Sequence, residues 1–149
     1  MHIIGGIIMK YLFGVDIGTQ GVKGVILDEN LRTIQKAYLE HSYFQPKSNW
    51  FEHDAEQTWW GGFCKIISKL FAEGKVAPDA ISAIGCSGVS PCLLPLDKDD
   101  LPLRRGILYG IDTRAQKEIR DMTRELGEKK VLEINKQPLT TQSVGPKIL

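Results

Sequence analysis

Two apolar runs, Leu12 to Val15 and Val22 to Leu27, stand out first along the chain, separated by a short polar stretch that contains glycine. Both are short and rich in aromatic and β-branched residues, which predicts strands rather than a helix. Between them Gly18 and Gly21 permit positive φ and the close approach of a ligand, so the element is expected to be a hairpin. Arg32 to Glu40 is β-compatible with imperfect alternation and is expected to complete a three-stranded antiparallel meander, with Asp28-Glu29-Asn30 as the second turn. Tyr43 to Asn49, interrupted by Pro46, reads as a loop.

The period then changes. From Ala55 to Phe71 the residues Trp59, Phe63, Ile66, Ile67 and Leu70 recur at three- and four-residue spacing, which predicts an amphipathic helix with one buried stripe. Asp54 is a candidate N-cap with Gln57 in the capping-box position, and Gly74 is the expected stop. Ala80 to Gly88 reads as a buried strand running into a glycine-flanked turn, so the helix before it is expected to be a crossover packed on the sheet. Leu93 to Leu96 and Gly106 to Tyr109 read as two further strands around the turn Asp97-Lys98-Asp99-Asp100. Asp112-Thr113-Arg114 is expected to open a helix that ends near Leu126.

Composition narrows the function classes. A chain of 149 residues is long enough for a domain with a core, and 19 basic against 18 acidic residues, well interspersed, give a net charge of +1. No basic face advertises nucleic acid and no acidic tail advertises a basic partner. Cys64, Cys86 and Cys92 are odd in number and lack ligand spacing, which argues against a disulfide framework and a zinc site and fits reduced cytoplasmic thiols. The apolar start, Met1 to Ile8, is too short for a membrane span and lacks the features of a secretory signal. It reads as an upstream extension, with Met9 as the expected natural start and 9–149 as the folded region.

The chemistry gathers at the first hairpin. Asp16 ends the first strand beside the turn, Thr19 and Gln20 add side-chain donors, and successive backbone N–H groups in such a turn can form a concavity for phosphate oxygens. Lys23 either assists electrostatically or, by strand alternation, points to solvent. The plain alternative is a glycine-rich hairpin with a turn-capping Asp16. Neither the dinucleotide pattern G-x-G-x-x-G opening a helix nor the P-loop pattern is present. A second constellation, Gly85-Cys86-Ser87-Gly88-Val89-Ser90-Pro91-Cys92, ends a strand in a turn of small residues where a polyol can approach the backbone. Asp112 and Arg114 pair an acceptor of hydroxyl hydrogens with a multiple donor, which suits polyol recognition; their alternative reading is a helix N-cap with an arginine in the first turn. The histidines form no metal or catalytic group with the cysteines, and Ser87 has no His/Asp arrangement for hydrolysis.

A carboxylate before a glycine-rich hairpin resembles the first phosphate motif of the actin, Hsp70 and sugar-kinase superfamily. Its form here, D-x-G-T-x-G-V-K from Asp16 to Lys23, resembles the FGGY carbohydrate kinases and, within them, the xylulokinase-like branch. The run from Leu96 to Arg114 and the segment Trp50, Glu52, Asp54, Trp59, Trp60 are similar to further stretches of that family, as is Thr140 to Leu149. The resemblance implies an α/β, RNase H-like half-domain, incomplete, as the front part of the family's first domain. It implies ATP and Mg2+ as cofactors, with Asp16 organising metal-bound phosphate through water, and Gly18, Thr19, Gln20 and Lys23 at the phosphates. Ser87, Gly88, Val89, Ser90, Asp112 and Arg114 are implied at a small sugar or polyol, with Trp50 and Glu52 at the rim of its pocket. Val89-Ser90-Pro91 stand where the branch usually has Gln-Met-His, a departure that bears on the sugar. The resemblance places the family's catalytic aspartate beyond Leu149, so no residue here is assigned that role and the chain by itself is expected to be inactive. Partners other than a sugar or polyol are not implied: no nucleic acid, no membrane, and a homodimer only for an intact form. The competing classes are a non-catalytic sugar- or nucleotide-binding module and an actin- or Hsp70-like ATPase; the latter fits the hairpin but neither Asp112-Thr113-Arg114 nor the Trp/Glu/Asp segment. An uncovered sheet edge is expected to favour self-association.

Overall fold

The computed structural model describes residues 3–4, 7–8 and 10–149. The expected extension and the start at Met9 fall outside these residues, apart from the antiparallel pairing of β1 (Ile3–Ile4) with β2 (Ile7–Ile8). The chain forms two compact units, Met1–Ser42 with Glu56–Gly88, and Tyr43–Ala55 with Val89–Leu149.

The first unit is the predicted meander with a crossover. β3 (Tyr11–Ile17), β4 (Gly21–Leu27) and β5 (Thr33–Glu40) pair antiparallel in sequence order. The Asp28 carboxylate accepts the N–H groups of Asn30 and Arg32 at 2.8 and 2.9 Å, and so closes the second turn. Alternation along β3 sends Tyr11, Phe13 and Val15 to one face, where Val22 and Ile26 of β4 join them. Ile66 and Leu70 of α1 (Gly61–Phe71) close this core, and each such side chain contributes roughly 1.5–3 kcal/mol when fully buried. The first turns of the predicted helix, Ala55–Trp60, are a π-helix. At the junction Gly61 and Gly62 have no side chain to crowd the Glu56 carbonyl or Val22, where a Cβ would come within 3.0 and 2.8 Å. Gly74 stops the segment at φ +66, its N–H bonded to the Phe71 carbonyl.

After α1 the chain enters the strand that sequence marked as buried; in this numbering β6 (Glu52–His53) precedes it, and it is β7 (Ile81–Gly88). β7 pairs parallel with β3, giving the order β5-β4-β3-β7. Its burial was overestimated: residues 82–88 are exposed and Ile84 keeps 55% of its surface. An apolar run marks a strand covered on both faces, but α1 lies over β4 and β5, and among the described residues β7 has only β3 as neighbour.

In the second unit β6 pairs with β8 (Gly106–Ile107). Leu93 to Leu96 is not a strand; isolated bridges join Leu93 to Ile107 and Leu96 to Pro102 around the Asp97 turn, too few for a ladder. The helix expected from Asp112 starts later, as α2 (Gln116–Leu126), and α3 (Glu128–Asn135) follows across Gly127 at φ +80.

Close packing of α1 on β4 depends on Gly24, where a Cβ would lie 2.8 Å from both Ile66 and Leu70. Gly24→Ala is expected to cost about 1–3 kcal/mol in urea unfolding, whereas Gly85→Ala, with nothing within 4 Å, should stay within about 0.5 kcal/mol. Light scattering on the 149-residue chain is expected to show species larger than a monomer, because the free edge of β7 is long, uncharged and without proline; a stable monomer would contradict this.

Candidate functional site

Asp16 sits where β3 runs into the hairpin turn. The turn is closed by Gly18, whose N–H donates to the Gly21 carbonyl at 2.9 Å, so Gly18 contributes space rather than a free donor. Neither Gly18 nor Gly21 adopts positive φ; among the described glycines only Gly74 and Gly127 do. The expected backbone freedom is therefore not what the turn uses. A Cβ on Gly21 would collide with the Tyr38 ring, and one on Gly18 would lie 3.2 Å from the Gly21 carbonyl and 3.9 Å from Asp16 Oδ2. Close approach is the requirement at both positions. The Gln20 carbonyl is engaged as well, accepting from the Tyr38 hydroxyl at 2.9 Å and from the His41 N–H at 3.1 Å.

Register aligns the polar residues. Tyr38 lies opposite Lys23, Lys23 opposite Asp16, and Asp16 opposite Ser87, so four strands present one cross-sheet row on the same face. Of the two readings of Lys23, the structure gives an exposed side chain that shares the face of Asp16. The Ser87 hydroxyl donates to Asp16 Oδ1 at 2.7 Å. A concave surface of about 900 Å³ opens on this face, lined by Asp16, Lys23, Lys36, Tyr38 and Ser87 around Gly14 and Gly85. Among the described residues no group of three or more His, Cys, Asp or Glu side chains could cage a metal. A single carboxylate beside this turn fits Mg2+, which keeps several waters and is held by one or two carboxylates together with phosphate.

The second unit builds a different centre. Asp112 is fully buried and is not a helix cap: its Oδ2 accepts the Phe51 N–H at 2.7 Å, and both oxygens accept from the Arg114 side chain at 2.7–3.1 Å. Glu52, also buried, accepts from Arg114 Nη2 at 2.9 Å and from Arg104 Nη2 at 2.5 Å. The Arg114 guanidinium lies 4.1 Å from the Trp50 ring centroid. Its Nη1 is buried with no hydrogen-bond partner. Glu52 and Trp50, expected at a pocket rim, thus hold Arg114. Burial pushes the Asp112 carboxyl up, but the Arg114 side chain and the Phe51 and Arg114 N–H groups bring it below the ordinary carboxylate range. Val89 is half-buried and Ser90 exposed in this unit; the Val89 carbonyl accepts from Cys92 Sγ at 3.4 Å.

Sequence reasoning passed over Lys147, whose buried ammonium donates to the carbonyls of Leu108 and Tyr109 at 2.6 and 2.9 Å. Burial lowers its pKa and pushes the Cys92 thiol up, which keeps that thiol unreactive. The available signal was its isolation, since no other charged residue stands between Lys136 and Leu149.

With this geometry in place, comparison identifies the class. The family model described as the N-terminal domain of the FGGY family of carbohydrate kinases matches residues 11–149, and the chain belongs to that family. A xylulose kinase of Lactococcus lactis subsp. lactis (strain IL1403) is 32% identical over 141 residues, covering 95% of this chain and 28% of that protein. A glycerol kinase of Borreliella afzelii (strain PKo) is 28% identical over 142 residues with the same coverage. Among solved structures, a xyloylose kinase from Brucella ovis superposes with a TM-score of 0.83 at 28% identity, over 93% of this chain and 28% of that one. The Plasmodium falciparum glycerol kinase with ADP reaches 0.76 at 22% identity, over 94% and 28%, a likeness of fold. The fold is the mixed α/β architecture of the sugar kinases, and the chain spans about 28% of the length of these relatives.

The Asp112–Arg114 pair carries an acid dependence. The folded carboxyl has the lower pKa, so the unfolded chain takes the proton first; the pair's stabilisation is present above the ordinary value of 3.8 and is lost as pH falls through the folded value. Asp112→Asn is expected to cost about 3–5 kcal/mol at pH 7, because it leaves Arg114 buried with less counter-charge. The gap between variant and parent should narrow below pH 4 in urea titrations. Equal stability at pH 7 would contradict the assignment.

Proposed function

We propose that the chain is the N-terminal part of an ATP-dependent kinase that transfers the γ-phosphate of Mg-ATP to a hydroxyl of a pentulose-like ketose or related polyol. The carrying observation is Asp16, placed at the end of β3 beside a turn tightened by Gly18 and Gly21, in a chain of this family. Asp16 organises metal-bound phosphate through water, and Gly18, Thr19, Gln20 and Lys23 face the phosphates. The metal supplies neutralisation of charge that develops on the transferred group. The turn after β7, with the backbone of Ser87 and with Gly88, Val89 and Ser90, meets the sugar, and Asp112 with Arg114 is the pair suited to hydroxyl recognition. In that role Asp112 acts by holding Arg114 in place.

Among the described residues no helix is long and apolar enough to cross a membrane. A cytoplasmic location, and a homodimer for a longer form, complete the proposal. A carboxylate to accept the sugar proton is not assigned among these residues, so the chain by itself is inactive in this reading.

ADP release over a panel of pentuloses, hexuloses and polyols tests it, run on this chain and on the product of a reading frame extended past Leu149. Turnover is expected only from the extended product, and Asp16→Asn there should lower it about 10- to 100-fold, the range for a residue acting through a metal's outer shell. Sugar-dependent ADP release from the 149-residue chain would overturn the inactivity, and its absence from both would overturn the kinase reading.

A further inference from the structure

We infer that Ser87 is a positioning residue for Asp16, and that its hydroxyl serves the phosphate end of the site rather than the sugar. The inference rests on the proposed role of Asp16. Ser87 is the parallel register partner of Asp16 across β3 and β7, and its Oγ donates to Oδ1 at 2.7 Å. That bond divides the labour of the two oxygens. Oδ1 is tethered to the neighbouring strand, while Oδ2 lies on the side of the turn, 3.9 Å from the point where a Cβ on Gly18 would stand. A carboxylate on an otherwise free side chain samples rotations about its last bond; one held by a short hydroxyl bond presents a fixed lone-pair direction to a hydrated cation. Burial gives no other reason for a serine here, because β7 is exposed from Ser82 to Gly88. The hydroxyl that sequence assigned to sugar already has its acceptor within the sheet, so it has lone pairs but no hydrogen left to offer a sugar.

The test uses inorganic tripolyphosphate as the probe, which needs no adenosine site, and follows its 31P linewidth against the 149-residue chain with Mg2+ or with EDTA. Broadening that requires Mg2+ and falls in Asp16→Asn establishes the Asp16 reading. Ser87→Ala is then expected to raise the apparent Kd of the Mg2+-dependent component about tenfold, Ser87→Cys to do the same because a thiol is a weak donor, and Ser87→Thr to restore it. Circular dichroism verifies the fold of each variant, and the Cys and Thr variants decide the matter if Ser87→Ala does not fold. Sensitivity to Asp16→Asn with none to Ser87→Ala or Ser87→Cys overturns the positioning role alone. Loss in Ser87→Thr equal to that in Ser87→Ala also overturns it. No Mg2+-dependent broadening in the parent, or broadening indifferent to Asp16→Asn, overturns the Asp16 reading and this inference with it.

Discussion

The register of β3 controls what the first unit can do. β3 is paired on both edges, antiparallel to β4 and parallel to β7, and side chains alternate between faces with a period of two. One face must carry Phe13, Val15, Val22 and Ile26 against Ile66 and Leu70. That demand leaves no choice about the other face, because a slip by one residue would bury Asp16 and Lys23 and expose the core. The hydrophobic core thereby fixes the polar row Tyr38, Lys23, Asp16, Ser87, although none of those four side chains belongs to it. The turn at Gly18–Gly21 is fastened separately, by the Gly18 to Gly21 bond and by the hydroxyl of Tyr38 on the Gln20 carbonyl.

The second unit reaches order by another route. Its centre is charged: Asp112 and Glu52 are buried with Arg114, whose side chain is 9% exposed. Removing such groups from water is costly, and the cost is offset only where geometry and further hydrogen bonds are good. Here Asp112 engages Arg114 through both oxygens and takes a backbone N–H as well, while Trp50 covers the guanidinium plane. The arrangement holds one arginine in one orientation, with Nη1 buried and without a hydrogen-bond partner.

Legibility in the sequence followed the range of the signal. The meander, α1 and the glycine stop were readable because strand alternation, a 3.6-residue stripe and φ > 0 at Gly74 are local. The exposure of β7 was not readable, since Ile81-Ser82-Ala83-Ile84 looks the same whether or not a helix covers it. Asp112 was recognised as chemistry-bearing, but its partner Phe51 lies 61 positions away, Glu52 lies 62 positions from the Arg114 it shares, and no periodicity links them. Ser87 was noticed for the right strand end; only the pairing of β3 with β7 reveals that its hydrogen goes to Asp16. Lys147 needed the structure altogether, because backbone carbonyls leave no mark in a sequence.

What separates this chain from an ordinary glycine-rich hairpin is the pattern of what the glycines exclude. In a plain hairpin glycine is required where φ is positive, and neither Gly18 nor Gly21 meets that condition. A side chain at Gly18 would crowd the Gly21 carbonyl at 3.2 Å and one at Gly21 would collide with the ring of Tyr38, so the turn beside Asp16 is drawn tight by contacts from its own backbone and from the third strand. A turn-capping aspartate would hydrogen-bond the N–H groups that follow it, as Asp28 does with Asn30 and Arg32. Asp16 accepts from a strand neighbour seventy-one positions away, and its other oxygen stays on the side of the turn. The same residue type thus caps in one hairpin of this sheet and is tied across strands in the other.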